Sequence, residues 1–322
     1  MTADVPATPA APKRSKLDGV LLVDKPAGIS SAEVTNRLKR KFKFDKIGHG
    51  GTLDPFATGL MIVLLGEGTK VARFLLEGDK EYEAVAALGS ETDTGDLTGE
   101  VVNKGEEEED VNVTFEEWKT GAKAWTGLIR QTPPAYSAIK VKGRPLYDYA
   151  RKGEEVEIKE REATIHELEI QSSSEKELHF RVKCSGGTYV RALAADLAMA
   201  AGTCAHLSAL RRTGSSAFRV SNAHTLDALL ALEQSELPVE PLEKALAHLP
   251  QVICNDMVAL KVRQGNLAIF DVIKSKIEKP GYFLLLQESG ARTFPIAVCN
   301  HHPMMLPNCT IERVFDPRLS EA

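Results

Sequence analysis

The chain has 322 residues, 43% hydrophobic and 26% charged, with a formal net charge of −5. That length accommodates one large domain plus a smaller one, and the composition is ordinary for a soluble globular protein. No apolar run reaches the ~18 residues of a membrane helix, and the acidic balance gives no global attraction for a polyanion.

Residues 1–16 are rich in Ala, Pro and Thr, lack the apolar core of a secretory signal and are expected to form a disordered tail. A strand is predicted around Val20 to Val23, and Asp24 to Gly28 then turns the chain. Ser30 and Glu33 have the spacing of a capping box, with Ile29 and Val34 as its hydrophobic staple. The helix that follows puts Val34, Leu38 and Phe42 on one face. Arg37, Lys39, Arg40, Lys41, Lys43 and Lys46 are opposed there only by Asp45. A solvated amphipathic face accounts for these charges, but local positive potential also attracts polyanions.

Next comes Gly48-His49-Gly50-Gly51-Thr52-Leu53-Asp54-Pro55-Phe56-Ala57-Thr58-Gly59, with four glycines and a proline around a single acid. An isolated Asp in such company is most often a turn former, and His49 alone is more often structural than catalytic. Leu60 to Leu65 suits a buried segment, and Thr69 to Leu76 a short helix. Lys80 to Leu88 reads as a strand, alternating Tyr82, Ala84, Ala86 and Leu88 on one face. A polar turn at Thr92 to Asp96 leads into a strand beginning at Glu100 to Asn103. The run Glu106 to Asp110 is expected in a solvated loop. Phe115 to Trp125 has helical spacing and is broken at Gln131 to Pro134. Tyr136 to Lys140 is extended, and Leu146 to Arg151 forms a turn or two of helix. Leu178, Phe180, Val182 and Cys184 mark another strand, and Ser185-Gly186-Gly187 turns it into a helix that stops at Gly202.

Pro238, Pro241 and Pro250 mark a linker. Beyond it Val258 to Lys261, Leu267 to Val272, Tyr282 to Leu286 and Phe294 to Val298 predict short strands of a small β-rich appendage. Cys184, Cys204, Cys254, Cys299 and Cys309 are sparse and odd in number, which suits a reducing cytoplasm. Cys299, His301, His302 and Cys309 match no common zinc spacing; a packed C-terminal loop is expected there, with no metal.

Taken together and in order, these motifs resemble the TruB family of tRNA pseudouridine synthases over most of residues 18–235. Asp24-Lys25-Pro26-Ala27-Gly28-Ile29-Ser30-Ser31 is similar to its first motif, and Gly48 to Gly59 to its catalytic motif. Asp79-Lys80-Glu81-Tyr82 with Gly89 to Gly99, and Pro134-Ala135-Tyr136-Ser137-Ala138-Ile139-Lys140, resemble the next two. Cys184-Ser185-Gly186-Gly187-Thr188-Tyr189-Val190-Arg191 and Leu210-Arg211-Arg212 complete the set. Gly50 departs from the family, many of whose members carry Thr, Ser or Ala there, and the Glu106 to Asp110 run lies outside its pattern.

The resemblance implies an α+β fold: a mixed, mainly antiparallel sheet in a pseudouridine synthase catalytic domain over 17–236, then a linker and small PUA-like domain over 237–322. It implies isomerisation of uridine at position 55 in the T-loop of tRNA, without cofactor or metal and with no obligate protein partner; a cytoplasmic location is expected from the cysteine usage and a monomer from the lack of any coiled-coil or swapped element in the sequence. Asp54 would act at the ribose C1′ as nucleophile or electrostatic stabiliser, Tyr82 would stack on the base and share in proton removal, and Arg191 would pair with Asp54 and keep it ionised. Tyr189 and Leu210 would wall the base pocket, Lys25 would support the site, and His49 would stand beside the space left by the flipped nucleotide. Asp96 and Lys140 would be secondary polar positions. Arg37, Arg40, Lys41, Lys43, Lys46, Arg211 and Arg212 become candidates for RNA-backbone contact. The rivals are a guide-RNA-dependent relative of the archaeal and eukaryotic branch, and an RNA-binding tRNA-folding helper whose catalysis is secondary.

Overall fold

The computed structural model describes residues 17–104, 113–137, 139–277, 279–290, 292–305 and 307–316. The expected tail and the acidic run lie outside those residues.

In chain order the first half contains β1 (Gly19–Lys25), α1 (Ser31–Phe42), β2 (Ile47–His49), β3 (Thr58–Leu65), α2 (Ala72–Leu76), β4 (Lys80–Leu88), β5 (Ser90–Thr92), β6 (Val101–Lys104), α3 (Phe115–Lys123) and β7 (Gly127–Gln131). Then follow β8 (Lys140–Val141), β9 (Arg144–Pro145), α4 (Leu146–Ala150), β10 (Arg161–Ser173), β11 (Glu177–Cys184), α5 (Val190–Ala200), β12 (Ala205–Ser215), β13 (Phe218–Arg219), β14 (His224–Thr225), α6 (Leu226–Ala231) and α7 (Leu242–Ala245). The C-terminal part contains β15 (Gln251–Cys254), α8 (Asp256–Arg263), α9 (Phe270–Ile273), β16 (Gly281–Ser289), β17 (Arg292–His301) and β18 (Cys309–Val314).

The main sheet runs β14-β1-β3-β12-β4-β11-β10-β7, with β2 on β3 and β13 on β12. Its pairings are antiparallel except β1 with β14 and β12 with β3. β3 explains the continuous apolar run of its sequence, because it is buried on both faces. Met61, Val63 and Leu65 enter the core beneath α1, α3, α5 and α6. Leu60, Ile62 and Leu64 enter a second core with Phe74, Leu242, Leu284, Val298 and Phe315. The C-terminal sheet, β15-β16-β17-β18, therefore packs against the main one.

Several expectations are corrected. Ser30 caps α1 by accepting from the Glu33 amide at 3.1 Å, but the Glu33 carboxylate turns to Arg37 at 2.8 Å. Full capping boxes form instead at Thr114 and Glu117 and at Glu233 and Glu236. A strand, β7, separates α3 from the Pro133-Pro134 break. Val258 to Lys261 is helical, in α8, and Leu267 to Val272 is a 3-10 turn leading into α9. Cys299, His301 and Cys309 sit on strands β17 and β18 rather than in a loop. Among the described residues no group of three or more His, Cys, Asp or Glu is assembled as a metal site.

Candidate active site

The Asp54 loop, between β2 and β3, is fixed at several points by backbone bonds. Ser31 Oγ takes the Leu53 amide at 2.9 Å and lies 3.0 Å from the Leu53 carbonyl, to which it donates. Lys25 is fully buried and its ammonium donates to the carbonyls of Pro26 (2.8 Å), Ile29 (2.7 Å) and Pro55 (3.2 Å). The Gly28 amide also donates to the Pro55 carbonyl, at 2.8 Å, tying the first motif to the second. Gly59 closes the loop with φ +98°, and a Cβ there would lie 2.3 Å from the Arg212 carbonyl. Only glycine meets both demands at that position.

The loop opens onto a cavity of about 350 Å³, within the range of small-molecule sites. Asp54, Tyr82, Tyr189, Arg191 and Leu210, all singled out in the sequence, line it together. Arg191 sits in the first turn of α5 and is 5% exposed. Its Nε lies 3.0 Å from Asp54 Oδ2, and its Nη2 lies 3.5 Å from Asp54 Oδ1. The same guanidinium donates to the carbonyls of Thr94 and Tyr136 and stands 3.7 Å from the Asp96 carboxylate. Asp96 is buried off the cavity, its other oxygen held by the Thr98 amide and the hydroxyls of Thr94 and Thr98. Gln131 grips the Tyr189 backbone on both sides, at 3.1 and 3.2 Å, where the chain enters α5.

Burial raises the Asp54 carboxyl above its ordinary value; Arg191 and Lys25 oppose that rise and Asp96 adds to it. Desolvation thus outweighs the ion pair, so Arg191 limits the upward shift without reversing it. Lys25 is driven down to about 8, chiefly by burial, with Asp54 resisting. Burial also raises the Tyr82 phenol and lowers His49.

His49 lies on β2 outside the cavity lining. Lys140 is exposed on β8, although its neighbour Ile139 reaches the cavity. Arg40, Lys41, Lys43 and Lys46 are exposed, and Arg37 is half-buried against Glu33. Arg211 is half-buried and pairs with Asp24 at 2.7 Å.

Arg212 departs from its expected place among phosphate contacts. It is 2% exposed and donates to the Leu60 carbonyl at 2.6 Å. Strand alternation explains this, since neighbours on β12 point to opposite faces. Lys80, which sequence reasoning missed, is buried beside the cavity and donates to the Leu75, Leu76 and Gly78 carbonyls. Its position in the strand alternation, level with Tyr82, was the available signal.

Residues 39–190 match the model of the TruB family pseudouridylate synthase N-terminal domain, and residues 191–249 that of the tRNA pseudouridylate synthase B C-terminal domain. The tRNA pseudouridine synthase B of Neisseria meningitidis serogroup A is 41% identical over 81% of this chain and 84% of its own. That of Aromatoleum aromaticum is 44% identical over 79% and 82%. Among solved structures, a Cbf5-Nop10-Gar1 complex contains a chain with TM-score 0.67 and 26% identity, matched over 93% of this chain and 85% of that one. An H/ACA RNP bound to a substrate RNA containing 2'-deoxyuridine gives TM-score 0.66 at 24% identity, over 93% and 86%.

Proposed function

The chain belongs to the TruB family of pseudouridylate synthases, and on that premise we propose that it converts uridine to pseudouridine at position 55 in the T-loop of tRNA. The observation that carries this reading is the Asp54–Arg191 ion pair on the wall of a cavity that Tyr82, Tyr189 and Leu210 also line.

In the reaction the N1–C1′ bond breaks, the uracil turns while held, and a C5–C1′ bond forms to the same ribose; the C5 proton is then lost, with Tyr82 sharing in its removal, and N1 takes up a proton. The target base is first flipped out of the folded RNA, at an unstacking cost of a few kcal/mol. Stacking on Tyr82 returns about 1–3 kcal/mol of that. Asp54 faces C1′ and supports the breaking and remaking of the glycosidic bond. Arg191 holds the carboxylate in place, and Asp96 orients Arg191 from behind. Tyr189 and Leu210 confine the base. Lys25 fixes the Pro55 carbonyl next to Asp54. The exposed cations of α1 and its C-terminal extension contact phosphates, which makes binding salt-dependent.

The protein acts as a single cytoplasmic chain without a guide. Identity of 40–44% to tRNA pseudouridine synthases B, against 24–26% to the chains from the Cbf5 and H/ACA assemblies, favours that choice.

The test is to incubate the protein alone with an unmodified tRNA transcript and map pseudouridine, with Asp54→Asn in parallel. One T-loop product from wild type and none from the variant supports the reading. An active variant removes the role given to Asp54; an inactive wild type favours guide dependence.

A further inference from the structure

We propose that Arg212 is a positioning residue whose guanidinium sets the spacing between the Asp54 loop and the Tyr82 ring, an inference that rests on those two side chains doing the chemistry. Arg212 belongs to β12, the strand between β3 and β4. It is in register with Gly59 on one side and Tyr82 on the other. The loop that carries Asp54 enters β3, and Tyr82 stands on β4, so Arg212 lies between the two elements whose separation matters.

The contacts follow that placement. Arg212 Nε donates to the Leu60 carbonyl at 2.6 Å, Nη2 to Gly51 at 3.3 Å and Nη1 to Thr52 at 3.5 Å. Gly51 and Thr52 come just before Asp54 in the same loop. Arg212 and Tyr82 are cross-strand partners on β12 and β4 and line the cavity together, and the guanidinium opposes the rise that burial gives the Tyr82 phenol. Its partners in the loop are backbone carbonyls, which a phosphate would have to displace. The backbone of Arg212 is itself held close, because β3 approaches it at Gly59 more tightly than a side chain would permit.

A planar guanidinium has five donors in a fixed fork and can hold several acceptors at once. A lysine ammonium at the same site is a single point on a flexible stem. If the role is spacing, positive charge alone will not replace arginine. Misplacement of a reacting group by about 1 Å costs on the order of 10²-fold in rate.

The experiment uses the full chain with Arg212→Lys, Arg212→Met, Tyr82→Phe, the Arg212→Lys/Tyr82→Phe double variant and Asp54→Asn. It measures single-turnover pseudouridine formation on an unmodified tRNA transcript, tRNA affinity and thermal melting. We expect turnover to fall about 10- to 100-fold in both Arg212 variants, with affinity within about twofold of wild type and a cooperative melt retained. Combined with Tyr82→Phe, Arg212→Lys should lose less than the product of the two single effects. Wild-type turnover in Arg212→Lys, affinity falling in step with turnover, or full additivity would each overturn the proposal. So would loss of the melt in both Arg212 variants, which would make the residue structural. An active Asp54→Asn removes the underlying reading and this inference with it. An inactive Asp54→Asn beside a fully active Arg212→Lys removes this inference alone.

Discussion

Asp54 and Arg191 meet at 3.0 Å although they come from a loop and a helix 137 residues apart, with the guanidinium 5% exposed and the carboxylate 32%. The ion pair does not bring the acid below its ordinary range. Burial lifts it, and Arg191 is the largest force holding it down. On the proposed reading Asp54 acts as an anion, so turnover should fall as pH drops through a value above the usual carboxylate pKa of about 3.9. Arg191→Met removes the opposing charge and should move that acidic limb further up. A pH profile of single-turnover rates checks this, and a limb that stays put or moves down contradicts it.

Lys25 and the Asp54 loop are joined by the 3.2 Å bond to the Pro55 carbonyl. Lys25→Met leaves three carbonyls without this donor, and leaving a buried acceptor unsatisfied costs about 1–3 kcal/mol. Removing a desolvated charge offsets part of that loss. The folded-state pKa, about 8, lies below the ordinary 10.5. The burial penalty is therefore present in full below pH 8 and is relieved as pH rises towards 10.5. We expect Lys25→Met to lower stability by about 1–3 kcal/mol at neutral pH, read by chemical denaturation, and to erase a decline in activity near pH 8. A decline that survives in the variant belongs to another group, with Lys80, also near 8, the first to examine.

Tyr82 packs against the main core from β4 while facing the cavity. Tyr82→Ala should abolish detectable turnover while tRNA affinity weakens by no more than the ~1–3 kcal/mol of one stacked base. Filter binding beside a single-turnover assay separates the two quantities. Complete loss of binding would show that the ring serves the fold rather than the base.

How much of this was legible depends on how regular each segment is. β4 was readable because Tyr82, Ala84 and Ala86 keep strict alternation along an unbroken strand. β12 was missed because its pairing with β4 shifts register between Leu207 and Ala209 and again between Arg212 and Gly214. Each bulge resets the alternation that would have marked a strand. β10 was lost in the same way, with shifts at Ile165/Glu167 and Ile170/Ser172. In α8 the apolar residues form a short near-continuous run, whose periodicity does not separate a helix from a strand, and the decisive signal is Asn255, whose side chain accepts from the Val258 amide at 3.1 Å. The cavity-lining residues were found through ordered motifs. The burial of Arg212 was not, because which side of β12 faces the Asp54 loop is a tertiary fact.

The basic helix offers a test on the surface. Lys39, Arg40 and Lys41 fall in the last turn of α1, where cations also complement the helix dipole. Replacing Arg40, Lys41 and Lys43 together by Gln should weaken tRNA binding and reduce the slope of log K against log salt by about one for each phosphate no longer neutralised. The rate at saturating enzyme should be unchanged. An unchanged slope would return these charges to the role of a solvated face.

The C-terminal sheet reaches the cavity through α2. Phe74 meets Tyr282 edge-on with centroids 5.1 Å apart, and the Arg73 guanidinium lies 4.6 Å from the Phe74 ring and 5.3 Å from the Tyr282 ring while pairing with Glu312. Three residues on from Arg73, Leu76 lines the cavity, and its carbonyl accepts from Lys80. A disturbance at Tyr282 should therefore be felt at the site. Tyr282→Ala removes an aromatic pair and the packing around it, and should cost about 1–3 kcal/mol of stability together with a measurable drop in turnover. Glu312→Gln removes only a partly exposed ion pair and should cost less than about 1 kcal/mol. Denaturation midpoints and single-turnover rates on the two variants decide the matter. Equal effects would mean that the charge, rather than the aromatic packing, holds the second sheet against α2.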